Sequence, residues 1–361
     1  MRPRPQILQR LPIQRAFGVA VALLGFALYS WLRPSLSQRL APSPRNAQPS
    51  PATLQADATA ESSPRPVVWF EGACDASGAV EVDQQRVAVA DDEDNVIRIY
   101  DARVGGAPIF QYDLSEHVGS LESDIEAATR VGDQAFFLAS HGRTRKGRLD
   151  PNRLLFFGSE LPGSPWNPEL LGPPYRALLS DMLDDPKLAR LGLEDAARRA
   201  PKSLGGLNLE GLAGAPDGTF WLGFRNPVPE GRALLIRLLN PRDTLQGGHA
   251  QFSEPVLLDL GGLGIRALAS SNSKILIVAG PTADVGPSRL FRYDGKTHVE
   301  PLSDVDFADF NPEALFAPTS GEEVLVLSDD GERRYDGKRC KKLLDPRQKR
   351  FRGLWVRSTR S

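Results

Sequence analysis

Five segments of the chain repeat one pattern of polar and apolar positions. Each begins with a short polar anchor, continues as a strand, turns, and ends in a second apolar strand followed by polar residues, as in NLEGLAGAPDGTFWLGFR. The copies begin near Asp75, Asp124, Asn208, Gly264 and Asn311. Short apolar runs bounded by turn residues are typical of β-strands. The pattern therefore predicts five antiparallel strand pairs.

Further short apolar runs follow each pair, such as VIRIYDA and then PIFQYDL after the first. Four antiparallel strands repeated at intervals of roughly 50 residues are the signature of propeller blades. We therefore predict an all-β fold, a β-propeller of about five blades, with a sixth, degenerate blade as the alternative. Leu178, Leu179, Met182 and Leu183 recur at helical spacing and predict a helical insertion near residues 174–203. We expect this insertion to pack on a blade; a lid over one face of the ring is the alternative.

The N-terminus predicts export. Four arginines, Arg2, Arg4, Arg10 and Arg15, precede an uncharged apolar run from Ala16 to Leu32. A helix over this run reaches roughly 25 Å, the short limit for a membrane span. We interpret residues 1–34 as a signal anchor, with a cleaved signal peptide as the alternative. The arginines should stay in the cytoplasm, which leaves the propeller membrane-anchored on the extracytoplasmic side, or periplasmic or secreted if the signal is cleaved.

The segment after the apolar run differs in composition from the rest of the chain. Residues 35–66 are rich in Pro, Ser and Ala and predict a disordered linker before a propeller over residues 67–361. Residues 1–66 hold eight Arg and no Lys against Asp57 and Glu61, a balance of +6, so −7 remains for residues 67–361 when the whole chain is −1. An acidic folded domain excludes nucleic acid as a partner and favours a bound cation.

The third residue of each repeat is predicted to face the central channel, because the first strand of a blade lines it. These residues, called the ring below, are Ser77, Glu126, Glu210, Arg266 and Glu313. Crowded carboxylates repel one another unless a cation, an arginine or a proton intervenes. Ca²⁺ prefers such oxygen ligands, so Glu126, Glu210 and Glu313 are the candidate metal ligands. The alternative is a buried polar network that only stabilises the fold.

Other polar residues recur beside the ring. Two positions earlier the repeats carry Asp75, Asp124, Asn208 and Asn311, and the far ends of the second strands carry Asp92, His141, Arg225 and Asp329. We expect these side chains to line the channel or one of its mouths. His141 also opens the basic loop HGRTRKGR, which suits a small anionic ligand or is a solvated turn.

The two cysteines, Cys74 and Cys340, lie in the first and last blades, which ring closure places side by side. A disulfide between them is the expectation in an oxidising compartment, and two unpaired thiols are the alternative. Several catalytic motifs are absent from the sequence: G-x-S-x-G, H-E-x-x-H, the P-loop, G-x-G-x-x-G and paired C-x-x-C. Hydrolysis would therefore need a metal-activated water with a ring glutamate as base.

Several motifs resemble a bacterial family known as domain of unknown function 3616. They run in order from about Val67 to Arg357 and include CDASG, ADDEDN, SHGR, LNLEGL, GFRNP, GGLGIR, VAGP, NPEAL and SDDG. The resemblance implies no established activity. The x-E-G-[LI] motif, as in Glu210-Gly211-Leu212, also looks like the phytase-like esterase domains, a propeller group associated with ester or phosphoester cleavage.

Three functions remain open from the sequence. The first is an exported ligand-binding module that holds Ca²⁺ in its channel. The second is a metal-dependent ester or phosphoester hydrolase resembling the phytase-like esterases. The third is a scaffold that binds other proteins of the cell envelope.

Overall fold

The structure, a computed structural model, describes residues 66–119, 122–161, 169–302, 305–307, 309–319 and 321–358. The predicted signal anchor, and the predicted linker except for its last residue, lie outside the described residues. Within these ranges no helix is long and apolar enough to cross a membrane.

The described residues form a five-bladed, all-β propeller. The chain enters through β1 (Val67–Glu71), which belongs to the last blade. Blade 1 then consists of β2 (Ala76–Glu81), β3 (Arg86–Asp91), β4 (Val96–Asp101) and β5 (Phe110–Asp113). A short helix, α1 (Ser115–Val118), leads to blade 2, which consists of β6 (Ile125–Val131), β7 (Gln134–Ala139) and β8 (Phe156–Glu160).

Two helices, α2 (Leu178–Asp184) and α3 (Leu193–Ala197), lie between blades 2 and 3 in sequence. Blade 3 consists of β9 (Asn208–Gly214), β10 (Phe220–Asn226), β11 (Ala233–Leu238) and β12 (Val256–Leu258), with α4 (Pro241–Leu245) before its last strand. Leu178 and Met182 of α2 and Leu193 of α3 are buried in the same apolar core as Phe136 and Phe220. These helices therefore pack as a pad against blades 2 and 3.

Blade 4 consists of β13 (Gly264–Ser271), β14 (Lys274–Gly280), β15 (Arg289–Tyr293) and β16 (Val299–Pro301). Blade 5 begins with β17 (Pro312–Phe316) and β18 (Glu323–Ser328). A small hairpin, β19 (Arg334–Tyr335) and β20 (Lys338–Arg339), then precedes β21 (Arg350–Arg357). Short 3₁₀ turns lie at residues 151–153, 189–191, 229–231, 340–342 and 346–348.

The propeller is closed by β1, which pairs antiparallel with β21 as the outermost strand of blade 5. Blade 5 is thus built from both ends of the folded region. Five apolar cores fill the five spaces between neighbouring blades. In the core between blades 5 and 1, Phe70 stacks on Phe351 at 4.9 Å between ring centroids. A disulfide joins Cys74, just before blade 1, to Cys340, just after β20.

Candidate cation site in the central channel

A β-bulge sets the position of one residue in every blade. Where each inner strand pairs with the second strand, the register skips one inner-strand residue. A bulged residue leaves the ladder, and the bulge re-aims its side chain. The five skipped residues are the members of the ring: Ser77, Glu126, Glu210, Arg266 and Glu313.

The ring surrounds a small cavity at the centre of the propeller. Ser77, Glu126, Glu210 and Glu313 line this cavity, whose volume is about 10 Å³. That volume is about the space required by one water molecule. All five ring side chains are buried, with Glu126 the most accessible at 8%. The polar groups at the centre must therefore find partners inside the protein.

Two of the three predicted metal-binding glutamates lie against arginines instead. Arg266 Nε is 2.8 Å from Glu210 Oε2, an ion pair without hydrogen-bond geometry, and Arg266 Nη2 contacts Glu313 Oε1. Arg225 Nη1 donates to the other oxygen of Glu210 at 2.7 Å. A buried charge that is left unpaired is strongly destabilising. Glu210 and Glu313 are therefore held in ion pairs rather than directed with Glu126 at one metal ion.

A different set of carboxylates converges beside the ring. Asp92, Asp124 and Glu126 each offer an oxygen within 4.8 Å of the other two, and we call these residues the acidic cluster. Two oxygens bound to the same Ca²⁺ at 2.3–2.6 Å lie at most about 5 Å apart. Asp92 also belongs to a second group of this kind with Asp75 and Glu93. The arrangement of the acidic cluster thus fits a single hard cation.

The acidic cluster is electrostatically unfavourable when all of its members are ionised. Burial, followed by the charges of Glu210 and Asp124, raises the pKa of Glu126 well above its usual range. Burial, followed by the charge of Glu126, does the same to the pKa of Asp92. Burial raises the pKa of Asp124 to about 6, although Arg153, 2.8 Å away, lowers it. Without a cation, the cluster must take up protons.

Some buried atoms near the channel have no hydrogen-bond partner among the described residues. Besides Glu210 Oε2 and Arg266 Nε, which face each other in an ion pair, these atoms include Oδ1 of Asp92, Oδ1 of Asn208 and Nε2 of His141. Buried polar atoms are nearly always paired with protein, water or an ion. Oδ1 of Asp92 therefore has an acceptor position that a cation or a hydrogen-bond donor could fill.

The hydrogen bond of His141 to the backbone fixes which of its two nitrogens carries the proton. Its Nδ1 lies 2.8 Å from the carbonyl oxygen of Ala139, so Nδ1 carries the proton and Nε2 a lone pair. Burial lowers the pKa of His141 to about 4, which keeps its imidazole neutral near pH 7. The next residue, Gly142, lies against Asn208: a Cβ on it would be 3.3 Å from Asn208 Oδ1. His141 therefore carries a buried, neutral imidazole nitrogen.

The remaining predicted residues serve mainly as internal partners. Asn208 donates to Glu210 at 2.6 Å, and Asn311 donates to Asp329 at 3.0 Å. Burial and the charges of Asp329 and Asp91 raise the pKa of Asp75. The predicted basic loop is partly structural, because Arg143 donates to the carbonyl oxygen of Ala197.

Sequence reasoning did not predict the ion pairs of three basic residues, two of which, Lys341 and Arg352, lie in the basic segment at residues 338–352. Arg153 pairs with Asp124, Lys341 contacts Glu93 at 3.2 Å, and Arg352 forms two hydrogen bonds with Asp330. None of the three occupies a repeated position, so the pattern gave no signal for them. Arg153 and Arg352 meet their carboxylates within a single blade, whereas Lys341 meets Glu93 across the junction of blades 5 and 1.

Fold and site together define a five-bladed β-propeller with a buried acidic centre. A family model described as "Protein of unknown function (DUF3616)" matches residues 174–320 of this chain, which is less than half of its length. The match confirms the resemblance to that family predicted from the motifs. No curated protein matches the sequence.

Solved structures give distant likenesses. A glutaminyl cyclase from Myxococcus xanthus aligns at 11% identity and a TM-score of 0.44, covering 81% of this chain and 96% of that chain. An exo-β-1,3-galactanase from Phanerochaete chrysosporium aligns at 8% identity and a TM-score of 0.42, covering 80% of this chain and 60% of that chain. The PQQ-bound aldose sugar dehydrogenase from Streptomyces coelicolor aligns at 10% identity and a TM-score of 0.39, covering 81% of this chain and 99% of that chain. Similarities this low carry no information about the activity of this chain.

Proposed function

We propose that this protein is an exported ligand-binding propeller that holds a divalent cation, Ca²⁺, in its central channel. Asp92, Asp124 and Glu126 would be the protein ligands. The observation that carries the proposal is the convergence of their oxygens within 4.8 Å of one another. Of the glutamates expected from the sequence, only Glu126 remains in this set, because Glu210 and Glu313 are paired with Arg266.

The balance of charge around the channel supports a cation. Arginines pair with only part of the acidic groups: Arg225 and Arg266 with ring glutamates, and Arg153 with Asp124. No arginine contact satisfies Oδ1 of Asp92, which has no hydrogen-bond partner among the described residues. A divalent cation would replace the protons that the raised pKa values of Asp92 and Glu126 require.

The coordination number of Ca²⁺ leaves room for a ligand. Ca²⁺ takes six to eight oxygens, more than three side chains supply as single donors. The remaining positions would be filled by water or by an oxygen of a small anionic ligand. Asp92 and Asp329 are only partly buried, so this end of the channel has access to solvent.

The exported location is part of the same proposal. It rests on the arginine-flanked apolar run Ala16–Leu32 and on the disulfide between Cys74 and Cys340. Disulfides persist in oxidising compartments and are rare in the cytosol. The run would tether the protein to the membrane, or direct its secretion if cleaved. Envelope proteins are then accessible as partners.

A metal-dependent ester or phosphoester hydrolase is the second candidate, and His141 favours it. A water activated by the cation would attack the ester carbon or phosphorus, and a carboxylate or the neutral imidazole would accept its proton. The bond between that carbon or phosphorus and the alcohol oxygen would then break, and the alcohol oxygen would take up the proton as it leaves. His141 Nε2 is buried and has no hydrogen-bond partner within the described part of the chain.

Thermal unfolding tests the cation site. We would titrate Ca²⁺ into the full chain in lipid nanodiscs after chelation, and compare Glu126→Gln with Glu116→Gln, which changes an exposed carboxylate on α1. A cation that binds only the native state adds about 2.7 kcal/mol of stability at a hundred times its dissociation constant. We expect the midpoint to rise in the parent and in Glu116→Gln, and to rise much less in Glu126→Gln.

Each result separates the candidate functions. A rise of the unfolding midpoint with Ca²⁺, without turnover of p-nitrophenyl acetate or p-nitrophenyl phosphate, supports the binding module. Ca²⁺-dependent turnover of either ester supports the hydrolase. If the midpoint of the parent does not respond to Ca²⁺, the cation proposal is wrong. The acidic centre is then a protonated structural network, and a scaffold that binds envelope proteins becomes the better hypothesis.

A further inference from the structure

The mouth of the channel opposite the acidic cluster contains a wide open cavity, which we call the vestibule. It is formed by the turns that follow the inner strands of all five blades, residues 82–84, 131–133, 215–217, 271–274 and 317–319. Its volume is about 960 Å³. Pockets that bind small molecules typically measure about 300–1,000 Å³. The vestibule is therefore large enough for a ligand of its own.

The floor of the vestibule is apolar. Ala79, Ala128, Leu268 and Leu315 line the vestibule and also line the small central cavity. One layer of aliphatic side chains thus separates the two spaces. A molecule in the vestibule would rest on this layer and would not reach the carboxylates behind it.

The charged groups on the wall are already paired. Glu81 accepts hydrogen bonds from the backbone N–H and the hydroxyl of Thr319. Arg237 pairs with Asp217 at 2.5 Å, and its guanidinium lies 4.9 Å from the ring centroid of Trp221. Arg130 donates to the carbonyl oxygen of Val82 at 2.7 Å. An ionic ligand would have to compete with these internal partners.

The rim carries both signs of charge. Lys274 and Lys296 contribute positive charge, and Asp83, Asp133 and Asp294 contribute negative charge. Asp294 accepts hydrogen bonds from three backbone N–H groups of its own turn. The rim therefore offers hydrogen bonding around an apolar floor but no net positive charge to select an anion.

We propose that the vestibule is a second binding site, which takes a neutral amphiphilic small molecule. The apolar chain or ring of that molecule would lie on the floor of Ala79, Ala128, Leu268 and Leu315, and its hydroxyl or carbonyl groups would face the rim. The site is independent of the cation in the channel, because the aliphatic layer lies between them.

The test uses the neutral dye N-phenyl-1-naphthylamine with the full chain in lipid nanodiscs, and empty nanodiscs supply the lipid background. Ser271→Arg places a charge in the vestibule, and Ser270→Phe fills part of it without charge; both serines line the vestibule and neither is buried in a core between blades. Ala107→Arg, at an exposed alanine outside the vestibule, is the matched control. We expect saturable dye binding in the parent and in Ala107→Arg, and at least tenfold weaker binding in the other two variants. An unchanged melting temperature in either vestibule variant shows that its fold is retained.

Competition with three soluble amphiphiles of equal chain length tests the ligand class. We expect 1-octanol to displace the dye at a concentration at least tenfold lower than octanoate or octylammonium. Equal binding in the parent and in Ser270→Phe, or no saturable binding above empty nanodiscs, would overturn the vestibule as a site. Displacement by a charged analogue as effective as that by octanol would overturn the neutral class.

Discussion

Glu126 and Glu210 occupy equivalent bulge positions in neighbouring blades, but their chemistry differs because their neighbours differ. Glu210 lies between Arg225 and Arg266, which stabilise its charge. Glu126 lies beside Asp92 and Asp124, and their oxygens raise the cost of ionising it. One position in the repeat thus gives a buried ion pair in one blade and a candidate cation ligand in the next.

The raised pKa values make the stability of the chelated protein depend on pH. Asp124 has a pKa of about 6 in the folded protein, above its value of about 3.9 in an unfolded chain. The folded state then binds more protons than the unfolded state between these values, so stability is lost as pH rises from about 4 through about 6. Asp92 and Glu126, whose pKa values are raised further, extend the loss to higher pH.

We therefore expect the melting temperature in chelator to fall between pH 5 and pH 8, and to fall less in Glu126→Gln, which lacks one titrating group. Added Ca²⁺ should restore more stability at pH 8 than at pH 5, because protons compete with it at the lower pH. Melting curves at both pH values, with and without Ca²⁺, measure this. A fall that is the same in the parent and in Glu126→Gln would contradict the assignment of the effect to this cluster.

The positions of the ring residues could be predicted from the sequence, but their partners could not. The repeat placed Glu126, Glu210 and Arg266 at one level because a matching position in each blade faces the same channel. Which carboxylate meets which guanidinium depends on how each bulge turns its side chain. Arg153 contacts Asp124 across 29 residues of chain, outside any repeated position.

At the scale of the elements, β1 is the strand that the repeat did not predict. It lies before the first repeat and forms the outer edge of the last blade, so no internal copy identifies it. Phe70 anchors it with no exposed surface, stacked on Phe351 and edge-on to Tyr100. The adjacent Trp69 points to the other face of the strand and is 39% exposed.

These neighbouring aromatic residues give a matched test of ring closure. Phe70→Ala should lower the free energy of unfolding by about 3–5 kcal/mol, because it leaves a cavity in the core between blades 5 and 1. Trp69→Ala should lower it less, by roughly 1–2 kcal/mol, because Trp69 is 39% exposed and its removal leaves no closed cavity in the core. Urea unfolding monitored by circular dichroism measures both. Equal losses of unfolding free energy in the two variants would show that β1 does not close the propeller through Phe70.

At the scale of the whole molecule, the blades pack mainly against their neighbours, and the propeller is closed where its first and last strands, β1 and β21, pair. That junction has three components: the pairing of β1 with β21, the aromatic core around Phe70, and the disulfide between Cys74 and Cys340. The sequence predicted the blades because their pattern is local and repeated. The junction depends on contacts between distant parts of the chain, and only the positions of the two cysteines indicated it.

The disulfide should therefore contribute strongly to stability. It joins residues 266 positions apart, and in the chain-entropy model the closure of so long a loop restricts the unfolded chain by about 5 kcal/mol. We expect reductant to lower the urea midpoint of the parent and to leave the double variant Cys74→Ala/Cys340→Ala unchanged, with the variant unfolding near the reduced parent. Urea titrations of both proteins with and without dithiothreitol measure this. If the parent were equally stable in both conditions although dithiothreitol had reduced the bond, β1 and the aromatic core alone would close the propeller.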